Sequence, residues 1–371
     1  MEKNRFMDLM AEGKMTRRQM TKALASVGLG LMTVPVMKRP AAAAVNDITY
    51  YTWASYEIPE LHPAYFEKYG GSPDPAFFAD EEEALQKLRS GYTPDISHPC
   101  TYVLPRWRDA GVIAPIDTSR LTHYNDIFPE LKTIKGTFDD NGVYYVPVDW
   151  GNSSILYRTD LVEVEEESWM LLFDERYAGK LAVYDAIDGA VTAAALALGI
   201  KDPFNMTDEQ IEQCRQLLVK QKDLLLYYWS DNTTIEQSLA SGELVAAYAW
   251  NASVVTLKQQ GIPVKYMNPK EGILTWVCGL VLIEGGPGDE EAKYDFINAM
   301  SSPEAGQFEI ESYGYGHSNM KSFERVSPER LAELGISSPT ALFAQGVFLS
   351  EVPPETREKY ITMFEGVKAG I

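Results

Sequence analysis

The sequence predicts an α/β protein of two lobes around a central cleft, each lobe a mostly parallel sheet covered by helices. Three observations predict it. From residue 48 on, short β-branched and aromatic runs alternate with helical patterns, the order that builds a helix-covered parallel sheet. That alternation lapses before residue 149 and restarts at Gly179, so the chain holds two such units. A length of 371 residues with 45% hydrophobic content also suits two domains better than one.

The first 44 residues stand apart. Arg17 and Arg18 form a twin-arginine pattern within Thr16–Lys22, an apolar run follows from Ala23 to Val36, and the segment ends in Ala41–Ala44. A basic region, an apolar core and a small-residue site in that order read as an export signal. The apolar run is too short for a hydrocarbon layer of about 30 Å. Cleavage is expected near Ala44, which places the mature chain in the periplasm. The whole sequence has 33 basic and 53 acidic residues; without the signal, 25 and 50 remain, a net charge of −25. Such a field disfavours nucleic acid and anionic membranes and favours cationic ligands. Cys100, Cys214 and Cys278 are too few for a disulfide framework, and an odd count leaves at least one unpaired. Four histidines argue against a multi-histidine metal site.

The elements follow in order. Ile48–Tyr56 begins as a buried strand and becomes a loop that carries Trp53 and Tyr56 at the strand's carboxyl end, where open α/β sheets bind ligands. Pro59–Tyr69 is helical and Gly70-Gly71 stops it. Ala76–Ala79 is a second strand. Asp80 caps a helix whose first turn, Glu81-Glu82-Glu83, reads as a solvated complement to the helix dipole. Asp95–Tyr102 is a strand ending in a polar loop. A helix then runs to Ala110, and Val112–Ile116 is extended. Val143–Gly151 and Ser154–Tyr157 look like extended segments crossing between lobes. Lys180–Tyr184 opens the second unit, followed by Asp185 and Asp188, then a helix from Ala190 to Leu198 closed by Gly199. Thr207–Lys222 is amphipathic with Thr207 or Asp208 as its N-cap. Tyr228–Asp231 ends a strand, Ile235–Ser241 is a short helix, Leu244–Trp250 a buried strand and Thr275–Ile283 a strand returning to the first lobe. From Asp289 on the pattern is mostly helical. A cleft between two lobes is the default ligand site. No nucleophile elbow, H-E-x-x-H or phosphate-binding loop occurs, so no catalysis is expected and no cofactor or metal is called for.

The segments Tyr51–Tyr56, Asp95–Tyr102, Val146–Gly151, Tyr184–Asp188, Ala249–Ser253, Pro269–Trp276 and Gly314–Asn319, taken in this order, resemble the periplasmic spermidine/putrescine-binding proteins. The resemblance spans nearly the whole mature chain. It implies the two-lobed periplasmic binding protein fold of type II, closing about a hinge, with residues 45–149 and 278–324 in one lobe and 150–277 and 325–371 in the other. It also implies a monomer that captures a polyamine or related cationic amine for an ABC-transporter permease in the inner membrane. Trp53, Tyr56, Tyr102, Trp250, Trp276 and Tyr315 match the family's aromatic wall. Asp185 matches an acid that takes a terminal amine, and Asp188 stands where a second acid is often found. Ser55 and Thr101 add hydroxyl contacts. Aromatic faces attract cations, and carboxylates supply charge-assisted hydrogen bonds.

One position departs from the pattern. Cys278 stands where the family has an aspartate, and a neutral thiol cannot replace that charge. Asp149 either supplies the missing countercharge or serves as a hinge or capping residue. Ser350 or Glu351 falls where a polar contact is expected. Cys100, Cys278 and His317 map to the cleft, with His98 nearby, but a free cysteine is usually a small buried hydrophobe. The departure leaves two alternatives open: another amine-bearing ligand, such as an amino acid derivative or aminophosphonate, or a sensor that presents its closed form to a membrane receptor.

Overall fold

In the computed structural model, residues 48–78 and 81–371 are described, so the export signal and the Asp80 cap lie outside the described residues. β1 (Thr49–Thr52) pairs in parallel with β2 (Asp74–Phe77) on one side and β3 (Ile96–Ser97) on the other. α1 (Glu81–Arg89) connects the latter two strands. Two long strands dominate the middle of the sheet. β4 (Val146–Arg158) is one continuous strand of thirteen residues, where the sequence suggested two extended segments. Gly151 sits inside that strand where the packing leaves no room for a side chain: a Cβ would lie 2.2 Å from the Trp276 ring. The second unit contributes β5 (Leu181–Tyr184), β6 (Leu225–Trp229) and β7 (Ala246–Trp250). β8 (Leu274–Ile283) then returns and pairs antiparallel with β4. The strands follow the order β2-β1-β3-β8-β4-β7-β5-β6 through a sheet of twelve, with the parallel pairs near its two ends.

Side-chain burial divides this sheet between two lobes. Val146, Val148 and Trp150 of β4 pack into one apolar core with Ile48, Tyr50 and Phe296, whereas Ile155 and Leu156 of the same strand pack into another with Leu181, Ala247 and Phe364. β8 behaves likewise: Leu274 lies in the second core, Val277 and Leu280 in the first. Along β4 the change of core comes between Trp150 and Ile155. Val326, Leu331, Ile336 and Phe343 pack in the first core, and the chain joins the second at Leu349.

Local signals explain the helices that frame the cleft. α2 (Asp208–Lys222) starts on a capping box in which Thr207 and Gln210 exchange hydrogen bonds, which selects Thr207 over Asp208 as the N-cap. α3 (Pro303–Tyr313) is capped by Ser302 and ends on left-handed Gly314. α4 (Pro354–Ala369) closes the chain against α2 and presents its last turn to the loop after β5. No helix among the described residues is long and apolar enough to cross a membrane.

Candidate functional site

The strands of both lobes end around a cavity of about 640 Å³. β1 delivers Trp53 and Tyr56 to its wall, β7 delivers Trp250, β8 delivers Trp276, and Tyr315 follows α3. These rings are fixed by neighbours. Trp276 and Tyr315 meet edge to face at 4.8 Å, Trp250 meets Trp229 at 5.2 Å and Trp53 meets Phe78 at 4.5 Å. The Trp53 indole N–H donates to the His98 carbonyl at 2.9 Å. Tyr102 completes the set, and Tyr184 and Tyr248 extend it, although neither was singled out from the sequence. Among the described residues, the buried Trp276 Nε1–H has no hydrogen-bond partner.

Asp149 sits at the cavity wall, only 1% exposed. Its Oδ1 lies 2.8 Å from His98 Nε2 and its Oδ2 accepts from the Tyr56 hydroxyl at 2.7 Å. The His98 ring is held in turn by Tyr50, whose hydroxyl is 2.8 Å from Nδ1. Both carboxylate oxygens are thus engaged by the protein. Asp149 is thus the centre of a polar network that locks Tyr56 in place at the cavity wall. Glu309 reaches the same hydroxyl at 3.4 Å from α3, and burial together with Asp149 holds its carboxyl well above the usual carboxylate range.

Asp185 and Asp188 follow β5 and both line the cavity. Asp185 is not a bare acid: the Lys368 ammonium from α4 lies 2.7 Å from its Oδ1. Two other expected contacts do not reach the cavity. Ser55 occupies a left-handed turn residue (φ 77°), exposed on the outside of the loop between the two rings, and its carbonyl accepts from the Tyr313 hydroxyl. Thr101 is buried at the start of a helical turn. Ser350 lines the wall, and Glu351 does not.

Cys278 is at the wall, but as a disulfide with Cys100 rather than a free thiol. The two strand positions face each other in an isolated antiparallel bridge, which brings residues 178 apart in sequence together. Cys214 alone stays free, buried, with its thiol pushed up to about 12 by desolvation. His317 points away from the cleft: it is fully buried, with Nε2 3.0 Å from the Met300 carbonyl. Among the described residues, no three histidine, cysteine or acidic side chains converge as metal ligands.

The main residue missed from the sequence is Glu81. It is 5% exposed and lines the cavity, and its Oε1 accepts from the Cys100 backbone N–H at 2.6 Å. The signal was present: Glu81, Ala84, Leu85 and Leu88 are the buried residues of α1, a spacing that puts Glu81 on the inward face. Its neighbour Glu82 also lines the cavity and pairs with Arg106, with Arg357 3.7 Å off. Both arginines line the cavity.

Comparison with known proteins agrees with this architecture. Residues 74–333 match the model of a bacterial extracellular solute-binding protein family. The spermidine/putrescine-binding periplasmic protein of Salmonella typhimurium is 27% identical over 335 residues, 89% of this chain and 94% of that protein. The putrescine/agmatine-binding protein of Pseudomonas aeruginosa is 26% identical over 77% of this chain and 82% of its own. Among solved structures, the spermidine/putrescine ABC transporter substrate-binding protein PotD from Streptococcus pneumoniae superposes with a TM-score of 0.76 at 20% identity, covering 88% of this chain and 99% of that one.

Proposed function

Because the chain belongs to the bacterial extracellular solute-binding protein family, we propose that its cavity captures a polyamine-like cationic amine in the periplasm for an ABC importer. The observation that carries this reading is the cavity wall itself, where aromatic rings and carboxylates line one shared cavity. Rings shed water from methylene groups and attract the attached ammonium, each contact being worth roughly 0.5–2 kcal/mol when desolvated. In this reading Trp53, Tyr56, Trp250, Trp276 and Tyr315 flank the aliphatic stem, and Tyr102 closes one end. Asp185 takes one ammonium, exchanging Lys368 for it, and Asp188 is left to share the other. Closure swings the lobes about β4 and β8, the strands that thread both cores. The twin-arginine signal delivers the protein as a monomer, and the closed form is read by the permease. The ligands of the Salmonella and Pseudomonas relatives, spermidine, putrescine and agmatine, support the ligand class.

One observation favours a second reading within the same class. Arg106 and Arg357 at the wall suit a ligand that carries an anionic end beside its amine. A thermal-shift panel of diamines, triamines, amino acids and aminophosphonates separates the two. A ligand at 100 times its dissociation constant adds about 2.7 kcal/mol of stability. Stabilisation by diamines and triamines is expected; a response confined to amino acids or aminophosphonates establishes the second reading instead. Silence toward every amine sinks both.

A further inference from the structure

We infer that Glu81 is the specificity-determining acid of this cavity, the carboxylate that demands a second ammonium group on the ligand. The inference rests on the polyamine reading and sharpens it. The family resemblance calls for an acid at position 278, yet the disulfide leaves Cys278 without charge. Its disulfide partner Cys100 donates its backbone N–H to Glu81 Oε1 at 2.6 Å. The Cys100 backbone therefore seats a carboxylate beside the disulfide, on the patch of wall where the family pattern places one. Glu81 arrives from α1, a different element, so the charge is restored in space and not in sequence.

The surroundings suit a cation better than a free carboxylate. Tyr102 hydrogen-bonds the Glu81 carboxyl, Asp188 from the loop after β5 acts on it as a like charge, and Arg106 opposes that effect from a position committed to Glu82. Burial dominates, and with Asp188 it pushes the Glu81 carboxyl up to about 7. An ammonium placed between Glu81 and Asp188 relieves both penalties at once: it neutralises a buried charge and separates two like ones. Proton and ammonium then compete for the same oxygen. The empty cavity holds the proton for part of the time at neutral pH, and ligand binding expels it. Affinity for a diamine therefore rises with pH until Glu81 is fully ionised.

Calorimetric titration of the full chain with 1,4-diaminobutane and with 1-aminobutane tests this, at pH 6 and pH 8. For the wild type, affinity for the diamine is expected to rise about tenfold between those values, the ratio of ionised Glu81 for a carboxyl near 7. The Glu81→Gln variant keeps an oxygen for the Cys100 N–H but carries no charge. It is expected to bind the diamine about 10- to 100-fold more weakly at pH 8, to lose the pH dependence and to discriminate less between diamine and monoamine. Wild-type diamine affinity in Glu81→Gln removes Glu81 from the recognition and leaves the polyamine reading standing. So does a flat pH profile in the wild type, which needs no variant to fold. A wild type that binds neither amine overturns the polyamine reading, and the role of Glu81 with it.

Discussion

The two walls of the cavity use the same chemical group in opposite ways. On the wall built by the first core, carboxylates are sealed in and clamped. Asp149 spends both oxygens on His98 and Tyr56, and Glu81 is held by a backbone N–H. On the wall built by the second core, Asp185 keeps 35% of its side chain exposed and pairs with a lysine at the end of the last helix. A buried acid cannot trade partners cheaply, because any unpaired interval costs its full desolvation. An acid at the rim trades partners freely, since water covers the interval. The contrast divides the labour: the first wall fixes shape and selectivity, and the second admits and releases the ligand.

The largest expected effect breaks the clamped wall. Asp149→Ala strips partners from a buried histidine and a buried tyrosine hydroxyl, and should cost about 3–5 kcal/mol of unfolding free energy. Urea denaturation measures it. A loss below about 1 kcal/mol would place Asp149 with the rim acids and erase the contrast. Next comes the Cys100–Cys278 bridge, also on the first wall. Replacing both cysteines by serine should lower stability by about 2–4 kcal/mol, and a reducing agent should mimic the double variant in a thermal melt. Equal melting temperatures with and without reductant would show that strand pairing alone holds the two positions together.

Much of this architecture is local and was legible in the sequence for that reason. The β1 strand, the Thr207 capping box and the β7 strand each depend on residues within a few positions of one another. Most of the aromatic wall was legible too, since its rings stand at strand ends. What escaped depends on distant partners. Asp149 took its meaning from His98, 51 residues away, and Asp185 from Lys368, 183 residues away. Cys278 looked like a lost charge until Cys100 appeared opposite it. Glu81 is a different kind of miss. Three consecutive glutamates at a helix start suggested a solvated turn, yet at about 100° per residue the first of them falls on the face that Ala84, Leu85 and Leu88 bury. Ser55 shows the converse: it sits between two cavity rings, but its left-handed turn carries it to the outside.

Two smaller effects sharpen the contrast. His317 lies behind the clamped wall, with Asn319 N–H donating to its Nδ1 and its Nε2–H donating to the Met300 carbonyl, so the ring is neutral. Desolvation lowers it to about 4 from an ordinary value of 6.5. Folding therefore opposes its protonation. The associated stability is complete above pH 6.5 and is lost as pH falls toward 4; between pH 7 and pH 5 the loss is about 2 kcal/mol. Proton NMR should find this imidazole untitrated from pH 8 to pH 5. Titration of His317 near 6.5 would mean that the region behind the first wall admits water.

Lys368→Ala probes the rim, where the effect should be smallest. The 2.7 Å pair with Asp185 is partly exposed on both sides, 24% and 35%, so its loss should leave stability within about 1 kcal/mol. Binding should respond in the other direction. An Asp185 freed of its internal cation is open to the ligand's, and affinity for 1,4-diaminobutane should tighten by about two- to fivefold, with the gain shrinking in high salt. Unchanged affinity would make the pair an ordinary surface contact. A weakened one would assign Lys368 to holding the aspartate in position, and the rim acid would then be as tightly constrained as those on the opposite wall.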